Sequence, residues 1–325
     1  MAGQSKRPRR KPAGRQGKTQ TGKTGGKLSL PLIIILLLII AGLILSAYYE
    51  LRGDDTSFAE KEPTVISGEK LAVHFIDVGQ GDSELIVYGK KAMLIDAGEA
   101  EYGNTVVSYL QNLGITKLEY IIATHPHSDH IGGLAAVIAN FDVGKIITPK
   151  LPEEMTPTTR VYENFIEQTA DKGYKLTAAK AGDKFNLGDA EFTVLSPDKN
   201  ADFSDLNDYS VVIRLVYKNS SWLFTGDAEK PAEDAMVASG QYLHADILKV
   251  GHHGSANSST DEFLAAVEPR WAVIEVGAGN SYNHPTDEAL ARIERYAKIF
   301  RTDTLGTIIF ETDGDVITRV DNRSD

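Results

Sequence analysis

The 325-residue sequence has no cysteine, two tryptophans and four methionines. Without thiols there is no disulfide and no thiolate ligand, so a metal site here must be built from imidazole nitrogen and carboxylate or carbonyl oxygen. The absence is compatible with an exported protein and does not require one. Acid is missing from the first 27 residues, which hold nine of the 34 lysines and arginines. The remainder sets 25 basic residues against 45 acidic ones, a net charge of −20. The overall −11 therefore conceals a cationic tail on a strongly acidic body. Such a body argues against wholesale wrapping of nucleic acid, which needs Lys and Arg in quantity. A polyanionic substrate would have to be drawn in locally, by bound metal.

What is present falls into four stretches. Residues 1–27 are rich in Gly, Gln, Lys and Arg and are expected to form a disordered cytoplasmic tail. Residues 28–49 are almost wholly apolar, and as a helix these 22 residues would reach about 33 Å, enough to cross the hydrocarbon layer. Basic residues lie only on the N-terminal side and Tyr48 and Tyr49 sit at the interfacial level. The pattern predicts a single-pass anchor with the body outside the cytoplasm. The competing reading is a cleaved signal peptide, for which Ser46-Ala47 offers a weak cleavage site and the apolar run is long. Residues 50–69 read as a polar stalk and residues 70–325 as the folded domain.

Within that domain short β-type runs predict strands over residues 71–78, 83–88, 92–95, 145–148, 191–195, 209–217, 221–224, 246–250 and 271–276, with a last hairpin over 307–310 and 316–320. Helical patterns fall at 104–113, 133–140, 160–171, 231–239, 260–267 and 286–298. Mixed strands with helices outside predict an α/β (α+β) domain, an αββα four-layer sandwich, preceded by one transmembrane helix.

One stretch concentrates the chemistry: Thr124-His125-Pro126-His127-Ser128-Asp129-His130-Ile131-Gly132-Gly133, directly after the apolar run Tyr120-Ile121-Ile122-Ala123. His125 and His127 are two apart and project to the same side of an extended backbone. Asp129 and His130 follow as the chain turns into a helix and can face a second ion. Surface histidines with Asp129 as an N-cap are the bland alternative. Three imidazoles and a carboxylate in six residues favour ligands for Zn²⁺ or Mn²⁺.

The pattern His-x-His-x-Asp-His-x-Gly-Gly resembles the metal signature of the metallo-β-lactamase superfamily. The segments Phe75-Ile76-Asp77-Val78-Gly79-Gln80-Gly81-Asp82, Leu94-Ile95-Asp96-Ala97-Gly98, Phe224-Thr225-Gly226-Asp227, Leu248-Lys249-Val250-Gly251-His252-His253-Gly254-Ser255 and Asn283-His284-Pro285 resemble, in the same order, the hydrolase domain of ComEC-type competence proteins. The resemblance implies two divalent ions, Zn or Mn, held by His125, His127, Asp129, His130, Asp227 as the bridge and His284 as the last ligand. Asp129 and His253 are its candidates for catalytic roles, His253 being a ligand or a proton donor, and His252 shares the rim. It also implies that buried Asp96 steadies the ligand loop, while Asp82 and Ser83 border the site. One feature departs from many superfamily members: no histidine occurs from Ile131 to Gly226. Asn207 or Asp208, just before Ser210, would supply an oxygen donor instead and tilt the first site toward Mn²⁺.

Two divalent ions lower the pKa of a bound water and stabilise both oxygens of an in-line displacement, which suits a phosphodiester. The expected function is therefore a membrane-anchored, metal-dependent phosphodiesterase or nuclease related to ComEC-type DNA uptake. Its substrate would be a small or polymeric phosphodiester, single-stranded DNA included. A single apolar span conducts no DNA, so a separate channel protein is the expected partner. Cell-wall (teichoic acid choline-phosphate) esters, lactones and β-lactams are alternative substrates for the same centre. A metal-stabilised binding module is the non-enzymatic alternative.

Overall fold

The computed structural model describes residues 70–320. The tail, the apolar span and the stalk expected over residues 1–69 lie outside the described residues. Among the described residues no helix is long and apolar enough to cross a membrane.

Two sheets pack face to face, as expected. The first takes β1 (Leu71–Phe75), β2 (Glu84–Tyr88), β3 (Lys91–Ile95), β4 (Lys117–Ile122), β5 (Asp142–Thr148) and β6 (Leu176–Ala178). The second takes β7 (Lys184–Leu187), β8 (Ala190–Ser196), β9 (Val212–Tyr217), β10 (Ser220–Phe224), β11 (Ile247–Lys249), β12 (Trp271–Ile274) and β13 (Lys298–Arg301). The final hairpin, β14 (Ile308–Thr312) and β15 (Ile317–Val320), returns to the first sheet, giving the order β15-β14-β1-β2-β3-β4-β5-β6 against β13-β12-β11-β10-β9-β8-β7.

Strand alternation builds three apolar layers. Ile86, Met93, Leu215, Trp222 and Phe310 fill the space between the sheets. Leu85, Val87 and Leu94 point the other way, onto helices that contribute Val106, Leu110, Val137 and Phe165. Leu223, Leu248 and Ala272 do the same in the second sheet, against Met236, Phe263 and Ile293. Each sheet is thus buried on both faces, which explains why its central strands read as near-continuous apolar runs.

The chemistry sits where it does because β3 to β6 run parallel, and so do β10 to β13. Their carboxyl ends leave the sandwich at one rim, the usual ligand edge of a parallel sheet. The loops that follow β3, β4, β10, β11 and β12 carry Asp96, His125, Asp227, His252–His253 and His284 respectively.

The helix expected over 286–298 ends at Ile293, and Lys298–Arg301 pairs instead with β12. Phe300, two residues past the expected helix, is drawn into the inter-sheet core, and the strand it anchors takes Lys298 from the helical pattern. The edge strands β6 and β7 were not expected. They are short and largely exposed, so they carry almost no hydrophobic signal.

His74 lies in β1 with its Nδ1 2.7 Å from the Tyr109 hydroxyl of the helix Gly103–Asn112. Burial pushes its imidazole down to about 4. Between pH 6.5 and about 4 the unfolded chain binds a proton at this residue that the folded chain does not, so stability falls as pH falls through that window. His74→Leu removes this loss. In urea titrations the variant should gain about 2–3 kcal/mol on wild type between pH 7 and pH 4; a difference independent of pH would refute it.

Candidate metal centre

At the end of β3 Asp96 adopts a left-handed backbone with φ 51°, unusual for a non-glycine residue. Its carboxylate accepts from Thr124 N at 2.9 Å, from the Thr124 hydroxyl and from His130 Nδ1–H at 2.8 Å. One buried side chain thereby ties β3 to the ligand loop after β4 and fixes the tautomer of His130, leaving Nε2 to face inward.

Two further imidazoles are pinned in the same manner. His253 donates Nδ1–H to the Glu275 carbonyl at 2.8 Å, and His252 donates Nδ1–H to Glu229 Oε1 at 2.7 Å. Both residues have positive φ, 46° and 52°, a local strain of about 1–3 kcal/mol each. The paired left-handed turns aim successive rings in different directions. Both line the cleft, His253 buried at 1% exposure and His252 more exposed.

The three Nε2 atoms converge on one oxygen. Asp227 Oδ2 lies 3.2 Å from His130, 3.5 Å from His253, and 3.8 Å from each of His252 and His125. Asp129 Oδ2 is 3.2 Å from His253 Nε2. Donor atoms of Asp129, His130, Asp227 and His253 all lie within 4.8 Å of one another. On the other side of Asp227, His125 Nε2 faces His127 Nδ1 at 3.0 Å. His130 Nε2, His253 Nε2, Asp227 Oδ1 and Asn207 Oδ1 are buried without a hydrogen-bond partner. Orphaned inward-facing N and O atoms at this density fit divalent cations, with Asp129, His130, Asp227 and His253 holding one and His125, His127 and Asp227 contributing to a second.

The electrostatics agree. Burial disfavours a charged ring at His130, but Asp227, Asp129 and Asp82 outweigh it and hold the imidazole well above its ordinary value. His253 is pushed up to about 10 by Asp227 and Asp82 against the same desolvation. His125, next to His130 and buried, is held well below its usual range. For Asp227, burial alone would raise the carboxyl; the surrounding imidazoles carry it well below instead. The cluster demands positive charge, and protons supply it when cations do not.

Behind the centre stand Asp82 and Ser83, as the resemblance implied, together with Lys249, Glu84, Glu275 and Glu229, which sequence reasoning did not single out. Asp82 Oδ1 is 3.3 Å from His253 Nδ1, and its Oδ2 is 2.6 Å from Lys249 Nζ. Lys249 is wholly buried beside Glu84 and Glu275; burial would lower it, and those carboxylates raise it instead. Glu275 is itself pushed up to about 8, first by burial and then by Asp82. Ser83 donates its N–H to Glu275 Oε1 at 3.1 Å, so Asp82 and Ser83 border the donor cluster from inside the protein rather than from the cleft. Glu229, which orients His252, follows Asp227 by two positions; that spacing was the one available sequence signal.

The remaining expected residues are placed as follows. His253, expected as a proton donor or a ligand, belongs to the four-donor cluster and lines the cleft beside the more exposed His252. His284, expected as the last ligand, lies outside that cluster, its ring 5.3 Å from that of His252. Asn207 Nδ2 approaches His252 Nδ1 at 3.5 Å. Asp208 turns away and accepts the N–H groups of Glu229 and Ala232, both at 3.2 Å, at the start of the helix Lys230–Ala238. A cleft of about 510 Å³ opens over the cluster, lined by His127, Asp129, Asn207, Asp227 and His252, and no Lys or Arg lines it.

Because His130 and His253 carry protons near neutrality, a cation must displace them. Metal affinity should rise with pH, by up to about 100-fold per unit where both protons leave. Calorimetric titration at pH 7.5 in buffers of different ionisation enthalpy should register about one to two protons released per ion; binding without proton release would refute this account.

Residues 76–274 match the family model of the Metallo-beta-lactamase superfamily. The chain is 31% identical over 259 residues to ComE operon protein 3 of Bacillus subtilis, spanning 73% of this chain and 32% of that protein. It is 31% identical over 256 residues to Competence protein ComA of Neisseria gonorrhoeae, spanning 78% and 34% respectively. The chain thus spans about a third of the length of these relatives. Among solved structures, the metallo-beta-lactamase fold protein YhfI from Bacillus subtilis superposes with a TM-score of 0.50 at 13% identity, over 74% of this chain and all of YhfI. The fold of this family binds divalent metals, usually two, and implies a metal-dependent hydrolase. With its motifs, two sheets and donor cluster in the matching order, this chain belongs to the metallo-beta-lactamase superfamily.

Proposed function

We propose that this protein is a metal-dependent phosphodiesterase, membrane-anchored through residues 28–49, whose substrate is single-stranded DNA handled with a separate channel protein. The observation that carries the reading is Asp227 Oδ2, placed between the Asp129–His130–His253 cluster and the His125–His127 pair beneath an open cleft. A structural zinc site is usually closed by four protein ligands, and this arrangement stays open on one side. The competence relatives support nucleic acid over other phosphodiesters.

Cations held here, of Zn²⁺ or Mn²⁺ type, would supply Lewis acidity to a phosphoryl oxygen and lower the pKa of water at the site. The protein's own residues do the rest. Asp96, the Glu275 carbonyl and Glu229 fix the Nδ1–H tautomers of His130, His253 and His252, so no ring must reorient during turnover. Of these three, His252 and His253 both line the cleft, and His252 is the more exposed. Burial works against its charged form, but Glu229 and Asp227 outweigh it and raise the imidazole, so it can hold a proton at Nε2 and deliver it to a leaving oxygen. His127 and Asn207 line the same cleft and border the entering phosphate.

The combined replacement His127→Ala with Asp227→Ala should abolish Mn²⁺- or Zn²⁺-dependent hydrolysis of single-stranded DNA and of bis-p-nitrophenyl phosphate, with an unchanged far-ultraviolet dichroism spectrum. Choline-phosphate esters and nitrocefin should be turned over at least about 100-fold more slowly by the wild type. Undiminished rates in the double variant would defeat the metal assignment, and preference for nitrocefin the phosphodiester one. Glu229→Gln should lower kcat by about 10²-fold, the scale of one proton-transfer group, with KM little changed; an unchanged kcat would remove His252 from the proton path.

A further inference from the structure

The loop after β12 presents an aromatic ring that the centre itself does not use. Tyr282 is 63% exposed at the mouth of the metal cleft. One face of its ring is backed by the imidazole of His284, with centroids 5.9 Å apart and planes 27° apart. The ring of His284 in turn meets His252 edge-on at 5.3 Å, and His252 Nε2 is 3.8 Å from Asp227. Side-chain contacts therefore run from Tyr282 through His284 and His252 to the donor cluster along the cleft.

The loop is held rather than loose. Asn280 donates Nδ2–H to the carbonyls of Gly277 and His284, at 3.0 and 2.6 Å, and its Oδ1 accepts the N–H groups of Tyr282 and His284, both at 3.1 Å. Gly277 N–H donates to Gln80 Oε1 at 3.2 Å, fastening the loop to the segment after β1, and a Cβ on Gly277 would come within 2.6 Å of the Gln80 nitrogen. A ring with one face packed, the other open and its backbone fixed is preorganised to stack on a flat partner with little loss of side-chain freedom.

We propose that Tyr282, backed by His284, is a stacking platform for a nucleobase of the substrate, next to the phosphodiester that the metal centre cleaves. The inference rests on the phosphodiesterase reading and names the part of the substrate that reading leaves open. The cleft lining contains no Lys or Arg to grip a phosphate backbone, and Pro126, Pro157, Val161 and Leu206 add apolar surface to it. Recognition through a base face and apolar walls suits that composition. It also makes the enzyme selective for single strands, because a paired base has no free face to offer, and tolerant of sequence, because every base has a π-face.

The test uses the full chain with Mn²⁺ and two fluorescein-labelled decamers, oligothymidylate and its abasic counterpart, both as cleavage-resistant phosphorothioates read by anisotropy. Tyr282→Ala should weaken binding of oligothymidylate by about 5- to 100-fold and leave the abasic decamer within twofold of wild type. Tyr282→Phe should bind both as wild type does. Tyr242→Ala, which removes a ring 69% exposed outside the cleft lining, should change neither. Equal weakening of both decamers by Tyr282→Ala, or no weakening of either, overturns the platform. Cleavage of the phosphodiester decamer is scored separately: a chain that binds it through Tyr282 yet never cuts it would keep the platform and sink the phosphodiesterase reading.

Discussion

Everything at the catalytic rim depends on one carboxylate oxygen. Asp227 Oδ2 stands within 4 Å of four imidazole nitrogens that arrive from two loops, one following a strand of each sheet. Such a meeting is unfavourable for the polypeptide alone, since buried imidazoles and carboxylates lose hydration that mutual contact only partly restores. The fold carries the cost by fixing each ring from behind. Asp96, the Glu275 carbonyl and Glu229 each take an Nδ1 proton, so all three of those rings present Nε2 toward the same point. Positive charge at that point then satisfies every orphan at once, whether protons or cations provide it.

The same logic explains the second layer of charge beneath the cluster. Asp82 carries its negative charge beside His130 and His253, and Lys249 compensates it at 2.6 Å from the opposite side. Glu84 and Glu275 share that pocket, and both are raised, first by burial and then by their acidic neighbours. One buried lysine among three carboxylates stays charged because Asp82 is ionised beside it, and burial with mutual repulsion favours the protonated form of Glu84 and Glu275. The pocket therefore holds the charge on Asp82 steady, and Asp82 in turn sets how strongly His253 holds its own proton. Replacing Lys249 by an apolar residue would leave an uncompensated carboxylate directly under the metal ligands, which is a far larger perturbation than losing a surface ion pair.

Much of this was legible in the sequence because the informative residues are crowded or end strands. His125 through His130 place four donors in six positions, and the motifs around Asp96 and Asp227 follow short apolar runs whose carboxyl ends had to meet at one rim. The two-sheet architecture followed from the same runs. What escaped reading shares a different property: its role depends on partners far away in the chain. Lys249 looks like an ordinary polar alternation in a short strand, and only the sandwich brings it against Asp82, Glu84 and Glu275. Glu229 has no motif of its own until His252 arrives 23 residues later to share a proton. His252 and His253 are adjacent, so spacing gave no way to divide their roles; only the fold places His253 in the four-donor cluster and sets His252 against Glu229. The strand Lys298–Arg301, of which only Lys298 fell within the expected helix, went unassigned because its pairing partner, Trp271–Ile274, lies far upstream.

The distribution of charge has a thermodynamic consequence. The body outside the first 27 residues carries a net −20, and no Lys or Arg lines the cleft. A free phosphodiester therefore meets repulsion at long range, moderated by ionic screening, and carboxylates at short range. Attraction arises when divalent cations occupy the donor cluster, because they reverse the local sign. Binding of metal and binding of an anionic substrate are then coupled free energies, and linkage requires that each raise the affinity for the other by the same factor. If the substrate is the phosphodiester proposed above, a chain with this composition binds it poorly until it is loaded with metal and holds its metal more tightly while substrate is bound. The preorganised imidazoles and the acidic exterior are thus two parts of one device, in which the cations decide whether an anion can approach at all.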